Sequence, residues 1–293
     1  MIKRATAKIG SSYLTYLLPA ILVLFVVTIY PTIRGVWLSF HRIVVGGGGI
    51  TEYVGFKNYS MLFRQVEVRN SFATTIVFVA GTVVSSFVTG FSMAILVRRQ
   101  FPGKTLYMGL FILPVVATPV VSGMMWKLML STQFGIINWV ISLIGLQPVA
   151  WLARGHTALL SVIVADVWQW SPFVMYLMIA ALGALPREIE EAAAVDGVNR
   201  WQLWWHVNIP QLIPAITAVL LLRTIDAFKA FDVILMMTEG GPGHATQVLN
   251  LTAYRMGFRY SQLGKAAALG ILVLIVVTIV SKLLLRLLRP EGA

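Results

Sequence analysis

Four ionisable residues follow one another at three-residue intervals with alternating sign: Arg223, Asp226, Lys229 and Asp232. The flanking sequence is long and apolar, and a charge at the centre of a bilayer-spanning helix costs about 2.5 to 3.5 kcal/mol. Such groups face the interior of a helix bundle or water. Two readings stay open: neutral i,i+3 ion pairs that serve helix packing, or the polar lining of a solute pathway. Asp166, Gln169 and Trp170 form a second polar and aromatic patch, beside Pro172, which predicts a break in its helix. A solute with hydroxyls to hydrogen-bond and a ring face to stack suits these two patches. In a proton-coupled carrier, Asp166, Asp226 and Asp232 would instead be titrating sites.

A separate acidic cluster, Glu188, Glu190, Glu191 and Asp196, has the residue types of paired acid/base carboxylates. A helix start whose dipole favours anions accounts for it equally, as does docking to a partner carrying positive or donor groups. Gly103-Lys104-Thr105 looks like the end of a phosphate-binding loop, but Arg98 stands where that motif needs glycine and no buried strand precedes it, so nucleotide binding by this chain is excluded. His41, His156, His206 and His244 are scattered without ligand spacing, and there is no cysteine. Neither a metal site nor a catalytic triad can be assembled from them.

The elements that carry these residues follow from composition. At 58% hydrophobic and 12% charged residues, with a mean hydropathy of +0.82, the chain is an integral membrane protein. Lys3, Arg4 and Lys8 precede a first apolar run, Tyr13 to about Trp37, too long for a signal peptide and without a small-residue cleavage site. Further spans are expected at about Phe72–Val97, Leu106–Leu130, Ala158–Leu182, Gln211–Met237 and Ala266–Leu288, each reaching the roughly 20 residues a bilayer needs. Six spans put both termini on one side. Eleven basic residues fall on that side and ten on the other, so the charge rule is nearly silent, and the three N-terminal cations point to cytoplasmic termini. The net charge of +12 sits mostly at span ends, which suits lipid headgroups rather than nucleic acid.

Between the fourth and fifth spans lies a polar island, Pro186 to Pro214. Pro186 and the glutamates after it predict a helix that Gly197 ends; Asn199, with Gln202 three residues on, predicts a capped second helix bearing Trp201, Trp204 and Trp205 on one face. Elsewhere, Gly46–Gly49 read as a flexible turn, Gly55–Tyr59 as a short structured piece, Phe134–Leu146 as an interfacial helix stopped by Gly145, and Thr238–Thr246 as a tight turn cluster.

Glu191-Ala192-Ala193, Asp196-Gly197, Ile209-Pro210 and Pro214 resemble the EAA signature of permease subunits in bacterial ATP-binding-cassette importers, with Ile209 where leucine is usual. Leu113-Pro114, Gly135, Asn138, Phe231-Asp232, Tyr254, Phe258 and Gly264 extend the resemblance to the carbohydrate, maltose-type branch. It implies an all-α membrane fold of type I, one permease domain over residues 1–293 with six transmembrane helices and a cytoplasmic two-helix coupling loop at about 186–210. Glu190, Glu191, Ala192, Ala193, Asp196, Gly197, Trp201, Trp204 and Trp205 would meet the ATPase. Val115, Pro119, Gln169, Trp170, Phe173, Arg223, Asp226, Ala227, Lys229 and Ala230 would line the substrate pathway. Several of these differ from the branch's polar residues, which leaves open a substrate site or a channel wall. The implied partners are a second homologous permease, two ATPase subunits holding ATP and magnesium, an extracytoplasmic substrate-binding protein and lipid. The implied place is the cytoplasmic membrane, and the implied cargo a sugar, oligosaccharide or polyol. An ion- or proton-coupled secondary transporter is the alternative, although the paired broken-helix halves expected of one are missing from the sequence.

Overall fold

The computed structural model describes residues 16–43 and 51–288. Lys3, Arg4, Lys8, the first residues of the opening span, Gly46–Gly49 and Arg289 lie outside the described residues. In chain order the elements are α1 (Tyr16–Ser39), the strands β1 (His41–Ile43) and β2 (Thr51–Tyr53), α2 (Lys57–Arg64), α3 (Val66–Arg98), α4 (Lys104–Phe111), α5 (Leu113–Val116), α6 (Pro119–Met129), α7 (Ile136–Leu143), α8 (Gly155–Gly183), α9 (Arg187–Val195), α10 (Arg200–Lys229), α11 (Asp232–Thr238), α12 (Leu249–Tyr254) and α13 (Leu263–Leu288). Among the described residues, five continuous helices are long and apolar enough to cross a membrane, or six where the bent pair Lys104–Val116 and Pro119–Met129 counts as one span.

The structure forms two compact units, Met1–Arg64 with Ala253–Leu272, and Gln65–Thr252 with Val273–Ala293. In the first, an antiparallel ribbon pairs Arg42 with Glu52, an addition to the all-helical expectation. Asn58 anchors it: buried at the start of α2, its Nδ2 donates to the carbonyls of Ser39 (2.8 Å) and His41 (3.1 Å). Tyr59 donates to the Ser39 hydroxyl at 2.7 Å. Gly264, at the start of α13, lies so close to the His41 carbonyl that any Cβ there would collide with it.

In the second unit α3 and α8 pack along each other. A Cβ on Gly90 would come within 2.5 Å of the Ser171 carbonyl and 2.7 Å of Val174, so glycine sets their separation there. Phe78, Val162, Ile234, Met237 and Leu251 form one buried cluster; Ala94, Met175, Met178, Leu182 and Leu212 form another. Gln247, fully buried, donates to Glu67 (2.7 Å) and Thr252 (2.9 Å) and ties the segment before α12 to α3. The turn cluster before it is as read from sequence: Glu239, Gly240, Gly243 and His244 all take positive φ.

Four expectations change. The third span is not one helix: α4 to α5 and α6 are bent by 99°, because Thr118 is extended before Pro119 and caps α6 with its side chain. The fifth span ends at Lys229, where Ala230 and Phe231 leave helical geometry, so Asp232 opens the separate helix α11. The second loop helix is not confined to a loop at about 186–210: α10 runs from Arg200 into the span through a wider π-helical turn, Leu203–Asn208, with Ile209 N–H bonded to the Trp204 carbonyl. Another such turn, Phe25–Ile29, precedes Pro31. A proline lacks the donor and crowds the carbonyl four residues back, and widening the turn relieves both. Finally, Pro172 sits inside the unbroken α8.

Candidate functional site

At the loop between the fourth and fifth spans, Glu188 and Glu190 occupy the first turn of α9. The helix ends in a left-handed Gly197 (φ +75°), with Val198 N–H returning to the Ala193 carbonyl at 3.1 Å. The Asn199 side chain then accepts from Gln202 N–H at 2.9 Å while the Gln202 side chain accepts from Asn199 N–H at 3.0 Å, the full capping box read from sequence. Glu191, Ala192, Asp196 and Gly197 are exposed, as are Trp201 and Trp205, whose rings lie 5.6 Å apart.

Two residues expected on this outward surface turn inward. Glu190 pairs with Arg98 at the end of α3 (2.9 Å) and accepts from Asn208 Nδ2 (3.1 Å). Trp204 packs edge-on against Phe91, with ring centres 6.3 Å apart. The two tether the loop to the spans. Ala193 is also buried. Arg98 and Asn208 escaped the sequence reading because their pairing with Glu190 joins α3, α9 and α10 across many residues.

The second candidate site surrounds Arg223 on α10, only 1% exposed. Its guanidinium bonds Asp166 of α8 rather than Asp226 three residues along; its Nε donates to Ser86 Oγ of α3 at 3.2 Å; and its guanidinium carbon lies 5.6 Å from the Trp170 ring centre. Phe173 packs edge-on to Trp170 at 6.0 Å. Fully buried Gln169 donates to the Ala117 carbonyl at 2.9 Å, inside the bend that Val115 and Pro119 flank. Arg223 Nη1 and Gln169 Oε1 are buried without a partner among the described residues, one spare donor and one spare acceptor. The charge of the hub is balanced, so its free groups suit neutral hydroxyls.

The other expected pathway residues follow Arg223 along α10 and at its end. Asp226 and Lys229 pair with each other at 3.3 Å, with their side chains 36% and 69% exposed. Ala227 is buried and Ala230 caps α10. Ser86, Asp166 and the Ala117 carbonyl are members of the site that the pathway assignment did not include; the only local signal was Asp166 standing one helical turn before Gln169 and Trp170.

A model of the family described as "Binding-protein-dependent transport system inner membrane component" matches residues 86–291. The trehalose/maltose transport system permease protein MalF of Thermococcus litoralis is 32% identical over 94% of this chain and 92% of its own length. The sulfoquinovosyl glycerol transport system permease protein SmoG of Agrobacterium fabrum is 27% identical over 97% of this chain and 92% of its own. Among solved structures, a chain of the bacterial alginate ABC transporter in complex with an alginate pentasaccharide-bound periplasmic protein superposes with a TM-score of 0.83, covering 97% of this chain and 96% of that one at 21% identity. The fold is thus that of an ABC transporter permease.

Proposed function

The chain belongs to the family of binding-protein-dependent transport system inner membrane components, and from that premise we propose that it is the permease subunit of an ATP-driven importer carrying a sugar, oligosaccharide or polyol across the cytoplasmic membrane. The permease names of its relatives, trehalose/maltose and sulfoquinovosyl glycerol, support the carbohydrate class. The observation that carries the coupling role is the loop itself: an outward knob of α9, Gly197 and the capped start of α10, tethered to α3 by Glu190 and Arg98. A tethered knob transmits displacement to the spans, where a loose one would absorb it.

In this reading both termini and the loop are cytoplasmic, and Glu191, Ala192, Asp196, Gly197, Trp201 and Trp205 form the docking face for an ATPase subunit. Two such subunits hydrolyse ATP with magnesium, a second homologous permease completes the channel, and an extracytoplasmic binding protein delivers substrate. Closure of the ATPases pushes the knob, and the spans rock around a midplane cavity. The Arg223 hub, with Gln169 and Trp170, offers hydrogen bonds and a ring face to passing hydroxyls. The test is reconstitution of the four-component transporter in proteoliposomes. Uptake is expected to require ATP and the loaded binding protein. Uptake that stops with a proton uncoupler yet survives ATP depletion would replace this reading with a secondary transporter.

A further inference from the structure

We propose that a basic cleft in the first unit binds the phosphodiester headgroup of an anionic membrane phospholipid. The cleft encloses about 460 Å³ between the ribbon, α2 and the start of α13. Arg42 from β1, Lys57 from α2 and Lys265 from α13 face into it against the single carboxylate of Glu52. None of these four forms an ion pair among the described residues, so a net positive charge is left for a ligand. Asn58, whose Nδ2 is committed to the Ser39 and His41 carbonyls, fixes the wall between ribbon and α2, and Gly264 lets α13 approach that wall.

Charge alone would admit any anion. Two further observations select a lipid. Tyr53 (71% exposed), Phe56 (74%) and Tyr260 (51%) crowd this end of the unit, and exposed aromatic rings of this kind mark the headgroup level of a membrane. Beside them, the apolar stretch of α1 has no buried residue at all. A headgroup seated in the cleft therefore has an uncovered hydrocarbon surface along which its acyl chains can lie. Free phosphate gains the charge without that surface, and an acidic protein loop gains it without the aromatic rim.

The experiment uses the intact transporter, purified in detergent and stripped of lipid, with binding followed by native mass spectrometry. Phosphatidylglycerol is expected to be retained, while phosphatidylcholine and glycerol 3-phosphate are not. Lys57→Gln and Lys265→Gln should each weaken phosphatidylglycerol about fivefold, the equivalent of the roughly 1 kcal/mol a basic residue gains at an anionic surface. Glu52→Gln should tighten it, a change opposite in sign to any damage to folding. Equal retention of both lipids, glycerol 3-phosphate binding as strongly as the lipid, or affinities unmoved by all three substitutions would overturn the proposal. So would loss of a salt-sensitive contact with the binding protein in Lys57→Gln without any effect on lipid, which would assign the cleft to an acidic protein surface.

Discussion

Removing Asp166 should cost far more than removing Asp226, although sequence spacing favours the second as the partner of Arg223. Asp166 is buried with Arg223, and breaking a buried pair by deleting one side costs about 3 to 5 kcal/mol because the other charge stays behind. Asp226 pairs with a largely exposed Lys229, and such pairs are worth about 0 to 1 kcal/mol. Asp166→Ala is therefore expected to lower the thermal midpoint of the detergent-solubilised protein by several degrees, with Asp226→Ala close to the parent. Adding Arg223→Met to Asp166→Ala should restore most of that loss, since apolar replacements of buried pairs are often neutral. Transport should stay impaired in the double variant, because the spare Nη1 donor is gone. Full recovery of both properties would reduce the hub to packing. The residues of this hub were visible in the sequence and their pairing was not. Periodicity reports neighbours on one helix, whereas Arg223 spends its bonds on α8 and α3.

Among the elements, the loop was the most legible, because a cap, a box and a stop are written within four residues of where they act. The bend between α5 and α6 and the continuity of α8 through Pro172 were less so: a proline in an apolar run permits either outcome, and neighbouring helices decide which. The loop geometry separates roles that sequence lumps together. A Cβ added at Gly197 meets no atom within 4 Å, so the effect of Gly197→Val is carried by the left-handed backbone, about 1 to 2 kcal/mol of local strain that should tilt the knob without unfolding the spans. Glu191→Lys changes only the exposed face. Both are expected to insert normally and to lose binding-protein-stimulated ATP hydrolysis and co-purification of the ATPase. Glu190→Ala should behave differently: the ATPase still binds, but stimulated hydrolysis falls because the tether to Arg98 and Asn208 is cut. If Glu190→Ala and Glu191→Lys gave the same loss of ATPase on extraction, the division between tether and docking face would be wrong.

Over the whole molecule, the membrane inverts the usual distribution of side chains, and the inversion locates a surface that acyl chains cannot cover. Leu, Val and Ile lie exposed along α1 and α3, while Gln169, Arg223, Asp166 and Gln247 are buried. Against that background Asp226 and Lys229 stand out, as charges on the accessible side of a span helix. Facing hydrocarbon, each would carry the penalty of an intramembrane charge, so their surroundings are water, lipid headgroups or protein. The pathway reading predicts water. The absence of cysteine makes this measurable, since a single introduced thiol is then the sole maleimide target in this chain. Only a hydrated thiol ionises to the reactive thiolate, so Lys229→Cys should react at least about tenfold faster than Val26→Cys, whose position lies on the bare apolar face of α1. In the assembled transporter the Lys229→Cys rate should also change when ATP hydrolysis is arrested, as access to the cavity alternates. A thiol at 229 as unreactive as one at 26 in every state would place that face against the second permease, leaving the Arg223 hub alone as the polar part of the pathway.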